Sequence, residues 1–451
     1  MLQPADSPRY RAWLLTVLVA AYACSFIDRI AITVVGQAVI ADLHLSDLQF
    51  GLLGGMAFAV FYSAFGLPMA RLAERRGRTL ILGASIALWS IMTMLCGAAQ
   101  NYVQLLIYRM GVGVGEAGCT PASHSLISDH YPAHRRASAL SIYFLGVPVG
   151  ILLGSVFGGW LGETLGWRMT MVAVGAPGLL LAAVAWLTLR EPPRGMADRR
   201  AAGADAPPLS SVLVRVARVP SLRHLLVACT ITTLAANGIS TFAPTYFVRG
   251  FGLRLTDVGL LFGGITGVAG VIGLLAGGFG ADAAARRDVR WYGWLPAAGV
   301  LLSGPLYGLA YSQADVRAAA PLILAASLCL SSYSGPCFAL AQNLVEPRMR
   351  ASIAAILLLA MNLVGQGIGP ALMGTSSDLL AARRFGSPDY LERCVASRPH
   401  PDIARACAVA SATGLRQTIV GMAGFLPLGA LHFALAARTL RKDLEQVGQW
   451  G

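Results

Sequence analysis

The sequence predicts an all-α membrane protein: twelve transmembrane helices in two pseudo-symmetric six-helix bundles. Three observations predict it. Of the 451 residues, 56% are hydrophobic and only 13% are charged, whereas a soluble protein of this size carries about a quarter charged residues. Apolar runs recur along the whole chain, each long enough to cross about 30 Å of hydrocarbon as a helix. Charged loop sequences of the first half return about two hundred residues later in the second.

The apolar runs lie near 13–35, 49–71, 79–98, 102–127, 137–161 and 168–189, then 223–248, 256–281, 291–312, 319–345, 351–380 and 413–438. Backbone groups in lipid must be satisfied within their own segment, so these runs must be helices. An outer-membrane barrel would need strands of about ten residues alternating in polarity. Arg9 and Arg11 before an apolar stretch, with Ala21-Tyr22-Ala23 behind it, resemble a secretory leader. Cleavage there would remove half a span and the approach to Asp28, so the segment is read as a retained first helix.

Loop charges orient the helices. The net charge is +13, nearly all arginine. Arg71, Arg75, Arg76 and Arg78 fall between spans two and three, and Arg135 and Arg136 between four and five. The 282–290 and 346–350 loops and the Arg438, Arg441, Lys442 end are also basic. All share one side if spans alternate, which places both termini in the cytoplasm of a bacterial inner membrane by the positive-inside rule. Dispersed arginine of this kind is not the basic patch of a nucleic-acid-binding domain.

Residues 1–189 are expected to form one bundle, 190–222 a cytoplasmic linker and 223–451 the other bundle. In the linker, Ser210 and Ser211 are expected to cap a short amphipathic helix, LVRVARV, at the membrane surface, a plain tether being the alternative. The 381–412 segment reads as a long external loop. An oxidising compartment would permit a Cys394–Cys407 disulfide there, and the sequence leaves that pairing open. The other six cysteines fall in apolar runs, where cysteine acts as a small hydrophobe.

The halves repeat. ARLAERRGR at 70–78 corresponds to GFGADAAARR at 278–287, and YPAHRRASA at 131–139 to EPRMRASIAA at 346–355. Parallel repeats mark transporters whose halves rock around a midplane site.

Ionisable residues inside spans are costly and therefore point to function. Asp28 and Arg29 interrupt span one; Arg109 and Glu116 lie in span four. A spacing of seven puts Arg109 and Glu116 on one helix face, whereas Asp28 and Arg29 point about a quarter-turn apart. One of Asp28 and Arg29 can therefore pair across helices while the other faces a cavity, and the two acid–base pairs are read as functional, with a structural ion-pair network as the alternative. Gly113, Gly115 and Gly118 formally match GxGxxG, but no strand precedes them, so a dinucleotide site is rejected. They are expected to permit close packing and to leave space beside Glu116. His124 is expected to be a hydrogen-bonded structural histidine, with proton relay as the alternative. His130 and His134 flank Pro132 in a loop and do not suit a metal. Asn237, Ser334, Gln342, Asn362 and Gln366 are polar positions in the second-half spans, of which Asn237, Asn362 and Gln366 are assigned to substrate. No hydrolase or phosphate-binding pattern is present, and no enzyme is expected.

These residues resemble the major facilitator superfamily. The 70–78 segment is similar to its cytoplasmic signature between helices two and three, with Glu74 at the usual aspartate, then Arg75, Gly77 and Arg78; Ala70 departs from the usual glycine. Arg71, Glu74, Arg75, Gly77, Arg78 and, in the repeat, Asp282 are assigned to gating. Arg109 with Gly113 and Gly115 matches the helix-four signature, and GVPVGILLG at 146–154 that of helix five. Within the superfamily the chain resembles Spinster-like lipid transporters, through FIDR at 26–29, GVGEAGCTPASHSLISDHYP at 113–132, SYSGPCFALAQNLVEPRMRAS at 332–352, MNLVGQGIGP and GTSSD. The resemblance implies proton-coupled transport of an amphipathic lipid such as a lysophospholipid or a sphingosine-phosphate-like molecule. Asp28 and Glu116 would carry the proton, and Arg29 and Arg109 the anionic headgroup. Protons would be the coupling ion, with no cofactor or metal; the partners would be the lipid or organic-anion substrate and membrane lipids, and the protein a monomer. A multidrug exporter and a small organic-anion carrier are the alternatives.

Overall fold

The computed structural model describes residues 7–131, 133–193, 209–346, 349–396 and 399–445; the side chains at 67, 74, 133–138, 209 and 351 lie outside that description. Every regular element among the described residues is a helix. Ten helical stretches are long and apolar enough to cross a membrane. Two more complete the twelve runs read from hydropathy. One is Tyr102–Ala117 continued by Cys119–His130, whose charges lower its hydropathy; the other is Trp291–Tyr311, which contains Pro296 and Pro305.

Helix starts follow their capping residues. Ser7 accepts from the Tyr10 N–H, with Pro8 opening the first helix. Ser46 and Gln49 form a reciprocal capping box at the start of span two, and Asn101 caps span four. Each supplies an acceptor for backbone donors that the first turn leaves unpaired.

The chain divides into two compact units. The first comprises Met1–Leu45, Met56–Ala204 and Arg254–Gly263; the second comprises Ser46–Gly55, Asp205–Leu253 and Gly264–Gly451. The start of span two therefore groups with the second unit and the start of span eight with the first. Both exchanges have a physical basis. In the first unit, Glu163 accepts from the Thr256 N–H at 2.9 Å, and Gly159 meets the backbone of Leu255 and Gly259. In the second, Arg249 brackets Asp47 with two nitrogens at 2.8 and 2.9 Å, Ser377 Oγ donates to Asp47 at 2.6 Å, and the Asp378 carboxylate accepts from the Asp47 and Leu48 N–H groups.

Several helices run further than hydropathy indicates. The basic segment at 71–78 is mostly helix, because Ala57–Arg76 ends only at Gly77, whose φ of 99° a side chain rarely adopts. Arginine and glutamate are good helix formers, so a span continues past the hydrocarbon edge. For the same reason the 381–412 loop is shorter than expected. Span eleven continues to Phe385, a π-helical turn occupies Leu391–Ala396, and the next helix starts at Pro401. Cys394 and Cys407 are bonded, with Cα atoms 5.5 Å apart, beside a small cluster of Ala381, Tyr390 and Ala410. Alkylation of the purified protein is expected to label these two cysteines only after reduction; labelling of both without a reductant would contradict the bond.

The linker helix runs Leu209–Arg218, so Ser210 and Ser211 sit in its first turn rather than before it. It is amphipathic: Val212 and Val216 are buried, and Leu213 and Val214 are about half exposed. Residues 194–208 lie outside the described residues.

Candidate functional site in the first unit

Four helices of the first unit bring the intramembrane charges together. Ser25 and Arg29 are four residues apart on span one, so they share a face, and that face meets span four at Glu116. Ser25 Oγ donates to Glu116 Oε2 at 2.9 Å, Arg29 Nε donates to the same oxygen at 2.7 Å, and Arg29 Nη2 forms the ion pair with it. Asp28 is rotated about 100° away and faces span three, where Thr93 Oγ1 donates to its Oδ2 at 3.0 Å. The ion pair thus crosses from span one to span four. Arg29 is the member of the Asp28–Arg29 pair that reaches across helices, as their quarter-turn divergence allows, and its partner is Glu116.

Aromatic rings surround the cations. The Arg29 guanidinium carbon lies 4.2 Å from the Phe58 ring centre, 5.0 Å from Phe26 and 5.3 Å from Tyr62. The Arg109 guanidinium carbon is 5.9 Å from Phe58. These distances are within the reach of cation–π attraction, which holds an arginine in apolar surroundings without a full counter-charge. Phe58 and Tyr62 carry no sequence signal other than hydropathy, and only the structure places them here.

Asp28, Arg109 and Glu116 are all at least 97% buried, yet Asp28 Oδ1, Glu116 Oε1 and Arg109 Nε have no hydrogen-bond partner. A buried polar atom without a partner costs about 1–3 kcal/mol, and more when charged. Three such atoms in one cluster are therefore positions that a proton or an anionic group would satisfy. The site balances two arginines against two carboxylates, so protonating one carboxylate leaves it with one net positive charge.

The helix-four glycines hold the cluster in place, but they leave no space beside Glu116. A Cβ on Gly113 would lie 2.8 Å from the Phe58 carbonyl oxygen, and one on Gly115 would lie 2.6 Å from the Trp89 backbone nitrogen. Spans two and three occupy the room that the missing side chains create. Gly115→Ala is expected to destabilise the protein by about 1–3 kcal/mol, as overpacking does; a thermal-unfolding midpoint equal to wild type would show that the helices can part.

A second charged node lies at the Gly77 break. Arg78 is 3% exposed. Its Nε donates to Glu191 at 2.7 Å, and Nη1 donates to Ser125 at 3.0 Å and pairs with Asp129; Nη2 donates to the Pro192 carbonyl at 2.8 Å. It thereby ties the start of span three to the ends of spans four and six. Burial pulls the Glu191 carboxyl up, but the Thr79 N–H and the Arg78 guanidinium more than offset this and hold it below the ordinary glutamate value. The sequence did not single out Asp129, inside the 113–132 motif, or Glu191, at the start of the linker. Of the other residues assigned to gating, Arg71 and Arg75 are exposed on the last helical turns, the side chain of Glu74 lies outside the described residues, and Asp282 accepts from the Tyr292 hydroxyl at 2.6 Å within the second unit.

Asn237, Asn362 and Gln366 belong to the second unit. Asn237 donates to the Thr233 carbonyl of its own helix at 3.0 Å. Asn362 and Gln366 are half-buried in a π-helical stretch, Met361–Ile368, whose Gly365 packs on Thr233. Tyr333, which the sequence did not single out, shares a 3.2 Å hydroxyl contact with Thr233. His124 packs edge-on against Tyr143 and Phe144, and its Nε2 is buried without a partner, so it is not the satisfied histidine expected.

The model of the Major Facilitator Superfamily matches residues 18–370. An MFS-type efflux pump of Mycolicibacterium smegmatis is 33% identical over 373 residues, covering 82% of this chain and 85% of the pump. Protein spinster homolog 1 of Xenopus tropicalis is 27% identical over 407 residues, covering 85% and 76%. A crystal structure of a bacterial homologue of the human lysosomal transporter Spinster, inward-facing and unoccupied, superposes with a TM-score of 0.89 at 33% identity, over 97% of this chain and 99% of that one.

Proposed function

We propose that this chain, which belongs to the major facilitator superfamily and to its Spinster-like branch, is a proton-coupled secondary transporter that moves an amphipathic anionic lipid, of lysophospholipid or sphingosine-phosphate type, by alternating access. The observation that carries this reading is the division of labour between the arginines. Glu116 already holds Arg29, whereas buried Arg109 has an Nε with no partner. An anionic headgroup entering the cluster would engage Arg109 and compete with Glu116 for Arg29. A proton on Glu116 would release Arg29 to the headgroup and supply the one positive charge that a monoanion matches. Proton and anion then favour the same state, as coupling requires. Phe26, Phe58 and Tyr62 would cover the apolar part of the ligand next to its charge. In this reading the protein works as a monomer in a bacterial inner membrane, with cytoplasmic termini, no cofactor and protons as the only coupling ion. Within the second bundle, Asn237, Asn362 and Gln366 are the positions assigned to substrate, and the Arg78 node would act in gating.

The efflux-pump relative favours a second reading, export of hydrophobic drugs. Cluster charge separates the two, since a proton on one carboxylate gives the cluster a net positive charge that favours an anion over a cationic drug. Thermal unfolding of the purified protein with lysophosphatidylglycerol, small organic anions and cationic drugs tests the choice. A rise in midpoint with the lysolipid supports the lipid reading; a rise with cationic drugs alone overturns it.

A further inference from the structure

We propose that His124 is the proton relay connecting Glu116 with the Arg78–Asp129 end of span four. This rests on the proton-coupled reading above. Glu116, Thr120, His124 and Ser128 recur every four residues, so successive members are neighbours in a polar stripe that crosses the Gly118 break between Tyr102–Ala117 and Cys119–His130 and drifts by about 40° per step. The stripe starts at the carboxylate that holds Arg29. It ends one residue before Asp129, where Ser125 also accepts from Arg78. Thr120, His124 and Ser128 are each half-buried rather than sealed off.

Each member can pass a proton. A threonine or serine hydroxyl both donates and accepts, and an imidazole can take a proton on one ring nitrogen and give one up from the other. Successive side chains on such a stripe are about 5–6 Å apart, a gap that one bridging water spans. Pro121 has no N–H, so the Ala117 carbonyl, one residue after Glu116, lacks the usual donor from residue 121. His124 Nε2 is buried without a partner, so the ring lacks the fixed hydrogen bond that a structural histidine would hold. Among the described residues, few titratable groups surround it. Tyr143 faces it edge-on with ring centres 5.5 Å apart, and Tyr22 stacks behind Tyr143 at 4.5 Å. Tyr62 reaches the stripe through Thr120 at 3.4 Å. Along its own helix stand Glu116, Asp129 and His130.

The test uses the full chain in liposomes containing a pH-sensitive dye, with lysophosphatidylglycerol as probe and an imposed pH gradient. His124→Gln is expected to slow both proton entry and gradient-driven probe uptake about tenfold and to flatten the dependence on pH near neutrality. Thr120→Ser, which keeps the hydroxyl, should retain uptake that Thr120→Val loses. His124→Gln with the wild-type rate and pH profile overturns the relay. So does a slower rate with a pH profile of unchanged shape, which marks a structural role. A wild-type protein indifferent to the gradient overturns the coupling itself, and that failure is recognisable because it appears without any substitution.

Discussion

Glu116→Gln is expected to abolish gradient-driven transport, by at least about a hundredfold, while leaving the protein able to bind an anionic lipid. The substitution keeps shape and removes the charge. Arg29 then loses its ion pair, although the amide oxygen can still accept from Arg29 Nε and Ser25 Oγ, the two donors now 2.7 and 2.9 Å from Oε2. Arg29 without its counter-charge imitates the carrier protonated at Glu116. Lysolipid binding should therefore become independent of pH where the wild type binds more strongly on acidification. Asp28→Asn should behave differently, because Asp28 is held by Thr93 and not by an arginine. Wild-type accumulation by Glu116→Gln under a pH gradient would remove Glu116 from the mechanism.

Arg78→Ala is expected to destabilise the protein by about 3–5 kcal/mol, the cost of removing one partner of a buried ion pair. Asp129 is 8% exposed and would lose its guanidinium partner. Glu191, Ser125 and the Pro192 carbonyl would each lose a donor in the same step. Arg78→Lys should recover little of this, since one ammonium on a flexible stem cannot address four acceptors in the fixed directions of a guanidinium. Thermal unfolding of the purified variants measures both. A variant as stable as wild type would mean that water replaces the node, and that its position at the Gly77 break has another cause.

The parts of this fold legible from sequence are those that hydropathy controls. Twelve runs were legible because each must hide its backbone from lipid, and Asp28, Arg29, Arg109 and Glu116 stood out because a charge in such a run is rare. Partnership across helices was not legible. Helix spacing allowed one of Asp28 and Arg29 to pair across helices, but it contains nothing about which face meets which neighbour, so it could not say which of the two arginines Glu116 holds. Asp129 and Glu191 were lost for a related reason: at a span end, a charge that turns inward and one that faces water look alike in sequence. The π-helical stretches at 52–56 and 361–368 also escaped, because one extra residue in a turn barely alters a hydropathy profile. The helix-four glycines were read correctly as packing positions and wrongly as a source of space, since only the structure places the Trp89 backbone against Gly115.

Simultaneous recording of proton and lysophosphatidylglycerol flux in liposomes containing the wild-type protein tests the central claim most directly. Proton-coupled carriage through the Asp28, Arg29, Arg109 and Glu116 cluster predicts that a pH gradient drives lipid movement, that reversing the gradient reverses it, and that a lysolipid gradient alone moves protons. Lipid flux indifferent to the gradient, or proton movement driven only by cationic drugs, would contradict it.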